Sequence, residues 1–221
     1  MDPGTPRLGP PAVARSASPG ESGLGQIDGW GAPKAAALVP VKAFYRAKMR
    51  LAPVLGAAGR AELARQMAAH VLKAAFPLPA IVVCDDEEVA GWAEDLGARA
   101  LREPGLGLNG AVNAAVAQLA QEGYERLVVA HADLPRASHL VSLAELDGIA
   151  LVPDRRQEGT NVISLPASCG FRFSYGPGSF ARHRAEAQRT GHRWTVLHDP
   201  ALAWDVDIPA DIVALKPEPA S

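Results

Sequence analysis

The chain is poor in cysteine, with two residues in 221, Cys84 and Cys169, far apart and without a CxxC spacing. Neither a disulfide framework nor a structural zinc site is expected from that pattern. Cys84 lies in an apolar run and reads as a small buried hydrophobe. An excess of one charge is also missing, since 22 basic and 24 acidic side chains leave a net charge of -2. That balance offers no broad basic surface to nucleic acid and no acidic solvating tail. The four tryptophans are scattered and build no stacking platform for single strands. No apolar stretch approaches the ~20 residues of a membrane-spanning helix. The N-terminus lacks the charged start and apolar core of a secretory signal. The expectation is a cytoplasmic protein with neither membrane nor nucleic acid as partner. Three familiar site motifs are absent as well. Without GxxxxGK[ST], GxGxxG or Gly-x-Ser-x-Gly, a P-loop, a Rossmann dinucleotide site and serine acyl transfer are poorly supported.

What is present suffices for a full core, because 48% of the residues are apolar. The length fits one α/β domain with or without a tail. Residues 1–34, rich in Pro, Gly, Ser and Ala and without helical or strand period, read as a disordered extension. The ordered domain is expected over 35–216, with a short tail at 217–221. Within it apolar runs at 35–41, 80–84, 98–101, 126–130 and 148–153 read as buried strands. Helical stretches at 57–75, 87–96, 110–122 and 138–146 alternate with them, and a further one follows at 181–188. Such alternation predicts an α/β fold with a mostly parallel sheet and helices on both faces. Residues 161–165 and 171–173 read as short extended pieces, an added hairpin or a mixed-sheet edge over the site. In an open α/β sheet ligands bind beyond the carboxyl ends of the strands, so the polar residues after each strand carry the interest.

Three cations, Lys42, Lys48 and Arg50, follow the first strand within nine residues. They suit a polyphosphate, and equally a solvated basic loop. The loop Glu103-Pro-Gly-Leu-Gly-Leu-Asn109 offers Gly107 and an open backbone to a nucleotide, with Asn109 as a cap for the next helix. Asp133 and Asp207 each stand before an apolar-Pro pair. Both suit Mg²⁺, which takes one or two carboxylates plus phosphate oxygens, and both also suit plain helix capping, as does Asp211. His131 reads as structural, because Mg²⁺ prefers oxygen. Asp85 and Asp86 read as helix caps. The run Tyr175-Gly-Pro-Gly-Ser-Phe180 places Ser179 where an N-cap belongs. Free N–H groups at such a helix start form an anion site.

These motifs, from Val-Pro-Val-Lys42 and Ala-Lys-Met-Arg-Leu51 through Ala-Asp-Leu-Pro135, Glu158-Gly-Thr-Asn161 and the Gly-Pro-Gly-Ser-Phe180 run to Asp-Val-Asp-Ile-Pro209, occur in one order. That order resembles the phospholactate/phosphoenolpyruvate guanylyltransferases of coenzyme F(420) biosynthesis over residues 36–214. The resemblance implies a three-layer nucleotide-diphospho-sugar transferase fold of the glycosyltransferase-A type. It implies GTP as donor and Mg²⁺ as cofactor. The acceptor it implies is 2-phospho-L-lactate, phosphoenolpyruvate or 3-phospho-D-glycerate, with the product passed to the next enzyme of the pathway. It further implies that Thr160, Gly176 and Ser179 hold the acceptor and that Asp133 and Asp207 hold the metal. Lys42, Gly107 and Asn109 fall to the nucleotide, and Lys42, Lys48 and Arg50 to the departing diphosphate. Met49 stands where the family commonly has Ser, and residues before 35 have no counterpart. A different nucleotidyltransferase of the same fold, of molybdopterin or sugar-phosphate type, and a non-catalytic binding protein are the alternatives.

Overall fold

A computed structural model describes residues 34–213. The expected extension over 1–34, apart from Lys34, and the tail lie outside the described residues. The elements follow in the order β1 (Ala35–Pro40), α1 (Ala57–Ala74), β2 (Ala80–Cys84), α2 (Glu87–Asp95), β3 (Arg99–Arg102), α3 (Gly107–Gln121) and β4 (Arg126–Ala130). Then come α4 (Leu140–Leu143), β5 (Ile149–Pro153), β6 (Thr160–Pro166), α5 (Ser179–Arg189), β7 (Trp194–Val196) and α6 (Pro209–Val213). Two 3-10 turns, Phe44–Arg46 and Met49–Leu51, sit between β1 and α1.

The seven strands form one sheet in the order β3-β2-β1-β4-β6-β5-β7. β1 pairs in parallel with both β2 and β4, and β2 with β3. β6 runs antiparallel to both β4 and β5, and β7 returns parallel to β5. Side chains alternate across each strand. In β1, Ala37 and Val39 face a core with Ala68 and Val71 of α1 and Val89 and Ala93 of α2. Ala36 and Leu38 face the opposite core, with Val112, Ala115 and Leu119 of α3 and Ala187 of α5. Both faces are therefore covered, as a strand without polar residues requires. Each fully buried Leu, Ile or Val contributes about 1.5–3 kcal/mol. The central strands, where such residues concentrate, are thus the firmest support for whatever stands at their ends.

Four expectations are corrected. Residues 161–165 belong to an inner strand and not to an edge, because β6 enters between β4 and β5 and is buried on both faces, its Asn161 and Ser164 satisfied by hydrogen bonds. Residues 171–173 make no strand; their Phe171 and Phe173 rings, 5.1 Å apart, pack into the α3/α5 core instead. The 138–146 helix is a single turn at Leu140–Leu143. Ser179 is no N-cap: Gly178, at φ +70°, occupies that place, and Ser179 is the buried first residue of α5. Asp86, by contrast, does cap α2, its carboxylate accepting the Val89 N–H at 3.1 Å.

Candidate active site

β1 stands between β2 on one side and β4 on the other, so the connections leaving β1 and β4 diverge. That is the topological switch point at which open α/β sheets bind ligands. Lys48 comes from the first connection and Asp133 from the second. Lys48 has φ +53°, a left-handed conformation uncommon for a residue with a side chain. In that conformation its ammonium donates to Asp133 Oδ2 at 2.5 Å and to Asp207 Oδ1 at 3.2 Å. Arg50 reaches the other oxygen of Asp207 at 3.4 Å.

The carboxylates converge because the segment after β7 folds back. The Val206 N–H donates to the Asp133 carbonyl at 3.3 Å. Asn161, buried in β6, donates to the Leu202 carbonyl at 2.9 Å. Asp211, buried in the first turn of α6, accepts the backbone N–H groups of Asp207 at 2.7 Å and Ile208 at 3.0 Å. It also pairs with Arg155 and Arg156. Asp211 thus caps its own helix from within, in the manner of the third residue of a capping box, and fixes the backbone that carries Asp207.

The electrostatics follow from crowding. Burial by itself lowers the Lys48 pKa, but Asp133 and Asp207 outweigh it and raise the ammonium above its ordinary value. Burial by itself raises Asp133, but Lys48 and then His131 outweigh it and hold the carboxyl below its ordinary value. Asp205 has no such cation. Burial, then the charges of Asp133 and Asp207, push it up to about 6. Its Oδ1 and Asp133 Oδ1 are buried and make no hydrogen bond within the protein. Buried oxygens of this kind in a cluster of like charge suit a hard divalent cation, which takes oxygen donors. Among the described residues no three His, Cys, Asp or Glu side chains already form a cage for one. The Lys48 ammonium bridges Asp133 and Asp207 instead.

A second group of residues builds the 174–179 turn. Asn109 lies inside the first turn of α3, which begins at Gly107, so it caps nothing. Its amide accepts the Tyr175 N–H at 2.6 Å and donates to the Tyr175 carbonyl at 3.2 Å. One helical turn on, Asn113 does the same for Phe173, at 3.0 and 3.2 Å. His183, fully buried on α5, accepts the Ser174 N–H on Nε2 at 3.0 Å. A backbone N–H can only donate, so the proton of the neutral ring resides on Nδ1. Nδ1 therefore donates to Thr160 Oγ1, 3.0 Å away. Burial lowers the His183 pKa to about 4, which keeps the ring neutral near pH 7. Gly176 has φ +119°, in a region essentially closed to other residues. The Tyr175 ring lies 4.6 Å from that of His131, whose Nδ1 is 3.9 Å from Asp133 Oδ1. The turn and the carboxylate cluster are therefore neighbours.

Beyond the ends of β1, β2 and β3 lies a cavity of about 350 Å³. Lys42, Arg46, Asp85, Glu103 and Gly107 line it over an apolar floor that includes Val83 and Ala111. The structure thus gathers Lys48, Arg50, Asp133 and Asp207 in one cluster, Thr160, Gly176 and Ser179 around one turn, and Lys42 with Gly107 at one cavity. Asn109 stands apart from that cavity's lining and holds the turn. Sequence reasoning missed Asp205, Glu103, Asn113 and His183 as members of the site. The alternation Asp205-Val-Asp207 was the available signal for the first, while the others carry none without the fold.

The fold has solved counterparts. A candidate nucleotide-diphospho-sugar transferase from Desulfovibrio desulfuricans G20 superposes with a TM-score of 0.67 at 20% identity, over 83% of this chain and 86% of that one. The 4-diphosphocytidyl-2C-methyl-D-erythritol synthase structure does so at 0.57 and 16% identity, over 83% and 96%. The fold is that of the α/β nucleotidyltransferases. Residues 35–216 match the family described as guanylyl transferase CofC like. Phosphoenolpyruvate guanylyltransferases of Sphaerobacter thermophilus and Rubrobacter xylanophilus are each 37% identical to the chain, over 81% of it and 91% and 92% of their own lengths. The chain belongs to the CofC-like guanylyl transferase family. Its activity is nucleotidyl transfer, which implies a nucleotide and a small phosphorylated substrate. Nucleotidyltransferases of this kind generally use a divalent metal. Among the described residues no helix is long and apolar enough to cross a membrane.

Proposed function

We propose that the cleft moves GMP from GTP to phosphoenolpyruvate, with 2-phospho-L-lactate and 3-phospho-D-glycerate as the competing acceptors, within coenzyme F(420) biosynthesis. One catalytic domain over 35–216 performs the transfer. The observation that carries the reading is the Lys48 bridge between Asp133 and Asp207, with the glycine turn adjoining it through Tyr175 and His131. An acceptor phosphate oxygen attacks the α-phosphorus of GTP. The bond from that phosphorus to the β-bridging oxygen breaks, and diphosphate leaves. The acceptor phosphate is already ionised near neutral pH, so no strong general base is required. Catalysis rests on positioning and charge.

The nucleoside lies in the β1–β3 cavity against Lys42 and Gly107. Lys48, Lys42 and Arg50 offset the charge that grows on the departing diphosphate. Thr160, Gly176 and Ser179 hold the acceptor. The hydroxyl of Thr160 accepts from His183, which leaves its own hydrogen for a ligand oxygen. Asn109 acts through the turn that it fixes. Asp133 and Asp207, with Asp205 adjoining, would hold Mg²⁺, which supplies Lewis-acid stabilisation of phosphoryl oxygens. With a metal on the two carboxylates, the Lys48 ammonium would be free to pair with the phosphates. The product is a phosphoanhydride, which is passed to the next enzyme of the pathway.

The test is diphosphate release from GTP with each acceptor in turn, with the guanylylated product identified by mass spectrometry. Release that depends on both GTP and phosphoenolpyruvate is expected. Release from CTP or ATP but not GTP would point to another nucleotidyltransferase, and no release with any pair would sink the reading.

A further inference from the structure

The cavity at the ends of β1, β2 and β3 contains more polar chemistry than phosphate binding calls for. Two carboxylates, Asp85 and Glu103, line it together with two cations, Lys42 and Arg46. With Asp133 and Asp207 already placed for a metal at the phosphates, two further carboxylates in this cavity would only repel a polyphosphate. A purine edge has a use for them. Guanine presents N1–H and its 2-amino group side by side as donors, next to O6 and N7 as acceptors. A carboxylate accepts both donors at once through its two oxygens, as it does from an arginine fork. Adenine and cytosine each present a single amino donor beside a ring nitrogen lone pair, and that lone pair would face the carboxylate.

The two acidic residues differ in suitability. Asp85 is exposed and opens the α2 turn, whereas Glu103 is half-buried. The Glu103 backbone is moored, since its N–H donates to the Cys84 carbonyl at 2.8 Å. Among the described residues no hydrogen bond or ion pair engages its carboxylate. It stands just past the end of β3, four residues before Gly107, and β2 and β1 separate β3 from β4 in the sheet. We propose that Glu103 is the specificity-determining residue for the base, accepting the N1–H and 2-amino hydrogens of guanine in the β1–β3 cavity, with Arg46 donating to O6. The assignment rests on the guanylyl-transfer reading of the site and deepens it. It selects by attraction to guanine and by repulsion of bases that put a lone pair in the same place.

The experiment compares Glu103→Gln with Asp85→Asn and wild type, using GTP, ITP and ATP at fixed phosphoenolpyruvate. ITP keeps N1–H and O6 and lacks only the 2-amino group. Wild type is expected to prefer GTP over ITP. Glu103→Gln lowers kcat/KM for GTP by about 10- to 100-fold, the range for one bidentate base contact. It also collapses the GTP/ITP ratio toward one and leaves ATP unchanged or improved. Asp85→Asn leaves the ratios as they are. A purely structural role would depress all three nucleotides equally, and that result overturns the proposal. Unchanged ratios in Glu103→Gln, or collapse in Asp85→Asn instead, overturn it too. If Glu103→Gln melts early, Glu103→Asp keeps the charge but withdraws it, and the same ratios are read. A wild type that transfers nothing from GTP to any acceptor would sink the function and this inference together. An active wild type with indifferent variants sinks the inference alone.

Discussion

The two sides of the cleft are built differently. On the turn side the backbone is engaged by side chains: Asn109 and Asn113 grip the backbone of Tyr175 and Phe173, and His183 joins Ser174 to Thr160. Arg182 donates to the Ser174 and Pro177 carbonyls at 2.8 and 2.7 Å. On the cavity side Lys42, Arg46 and Glu103 reach into open space. The reason is geometric. The 171–178 segment has no ladder hydrogen bonds, so side chains must satisfy its backbone and fix its shape. The cavity is floored by strands that are already held by their neighbours, and its polar groups are left for a ligand. One side is pre-organised at the expense of adaptability, while the other keeps its polar groups for a ligand.

Substitutions separate these two modes, and the centre between them is the most sensitive. Asp133→Asn is expected to lower kcat by about 10²–10³-fold or more, the scale of losing one transition-state charge partner. Diphosphate release in saturating Mg²⁺ reads this, and near-normal turnover would remove Asp133 from the metal set. On the engaged side, lowering the pH should loosen the fold through His183. Its folded pKa is about 4, below the ordinary 6.5. The unfolded chain therefore binds the extra proton between those values, and stability is full above pH 6.5 and declines toward pH 4. The shift corresponds to about 3 kcal/mol for His183 alone. Relief of Asp205 as it protonates near pH 6 works in the opposite sense. Melting curves from pH 7.5 to 4.5 should fall more steeply for wild type than for His183→Gln. Equal slopes would mean that His183 is not held neutral.

Asn109→Ala removes two bonds to the turn and should cost about 1–3 kcal/mol of stability, with a raised KM for phosphoenolpyruvate and an unchanged KM for GTP. A rise in KM for GTP alone would place Asn109 on the nucleotide side after all. The smallest effect belongs to the open side. Lys42 is exposed, so Lys42→Ala should lower kcat/KM for GTP by only roughly 3- to 5-fold, in the range of a solvent-screened charge contact, without a change in melting temperature. A lowered melting temperature there would break the contrast between the two sides.

Much of this was legible in the chain. The apolar runs located β1, β2, β4 and β5, whose residues are nearly all buried, because a strand covered on both faces tends to an apolar composition. β3, an edge strand with exposed Arg99 and Arg102, was marked by its place between helical stretches. The cations after β1 and Asp133 after β4 stood out because charged groups beside strand ends have few structural uses, and Asp207 because it repeats the Asp-apolar-Pro pattern of Asp133. Less legible was β6, whose residues read as an edge because nothing local reveals that Thr160–Pro166 inserts between β4 and β5. Asn109 and Ser179 both read as caps, since their types and positions suit capping. In the fold Gly178 takes the cap of α5, and the amide of Asn109 finds Tyr175, 66 residues away.

The sequence by itself determined the α/β class, the ordered motifs that mark the family, and which charged residues face the ends of strands. These depend on local composition and on spacing along the chain. Only the tertiary structure decided that Lys48 bridges Asp133 and Asp207, across 85 and 159 residues. It alone decided that His183 sets the hydrogen-bond direction at Thr160, and that Glu103 faces a cavity without a protein partner. Hydrogen-bond partners and burial are set by which segments the sheet order brings together, and residues distant in sequence carry no local sign of meeting.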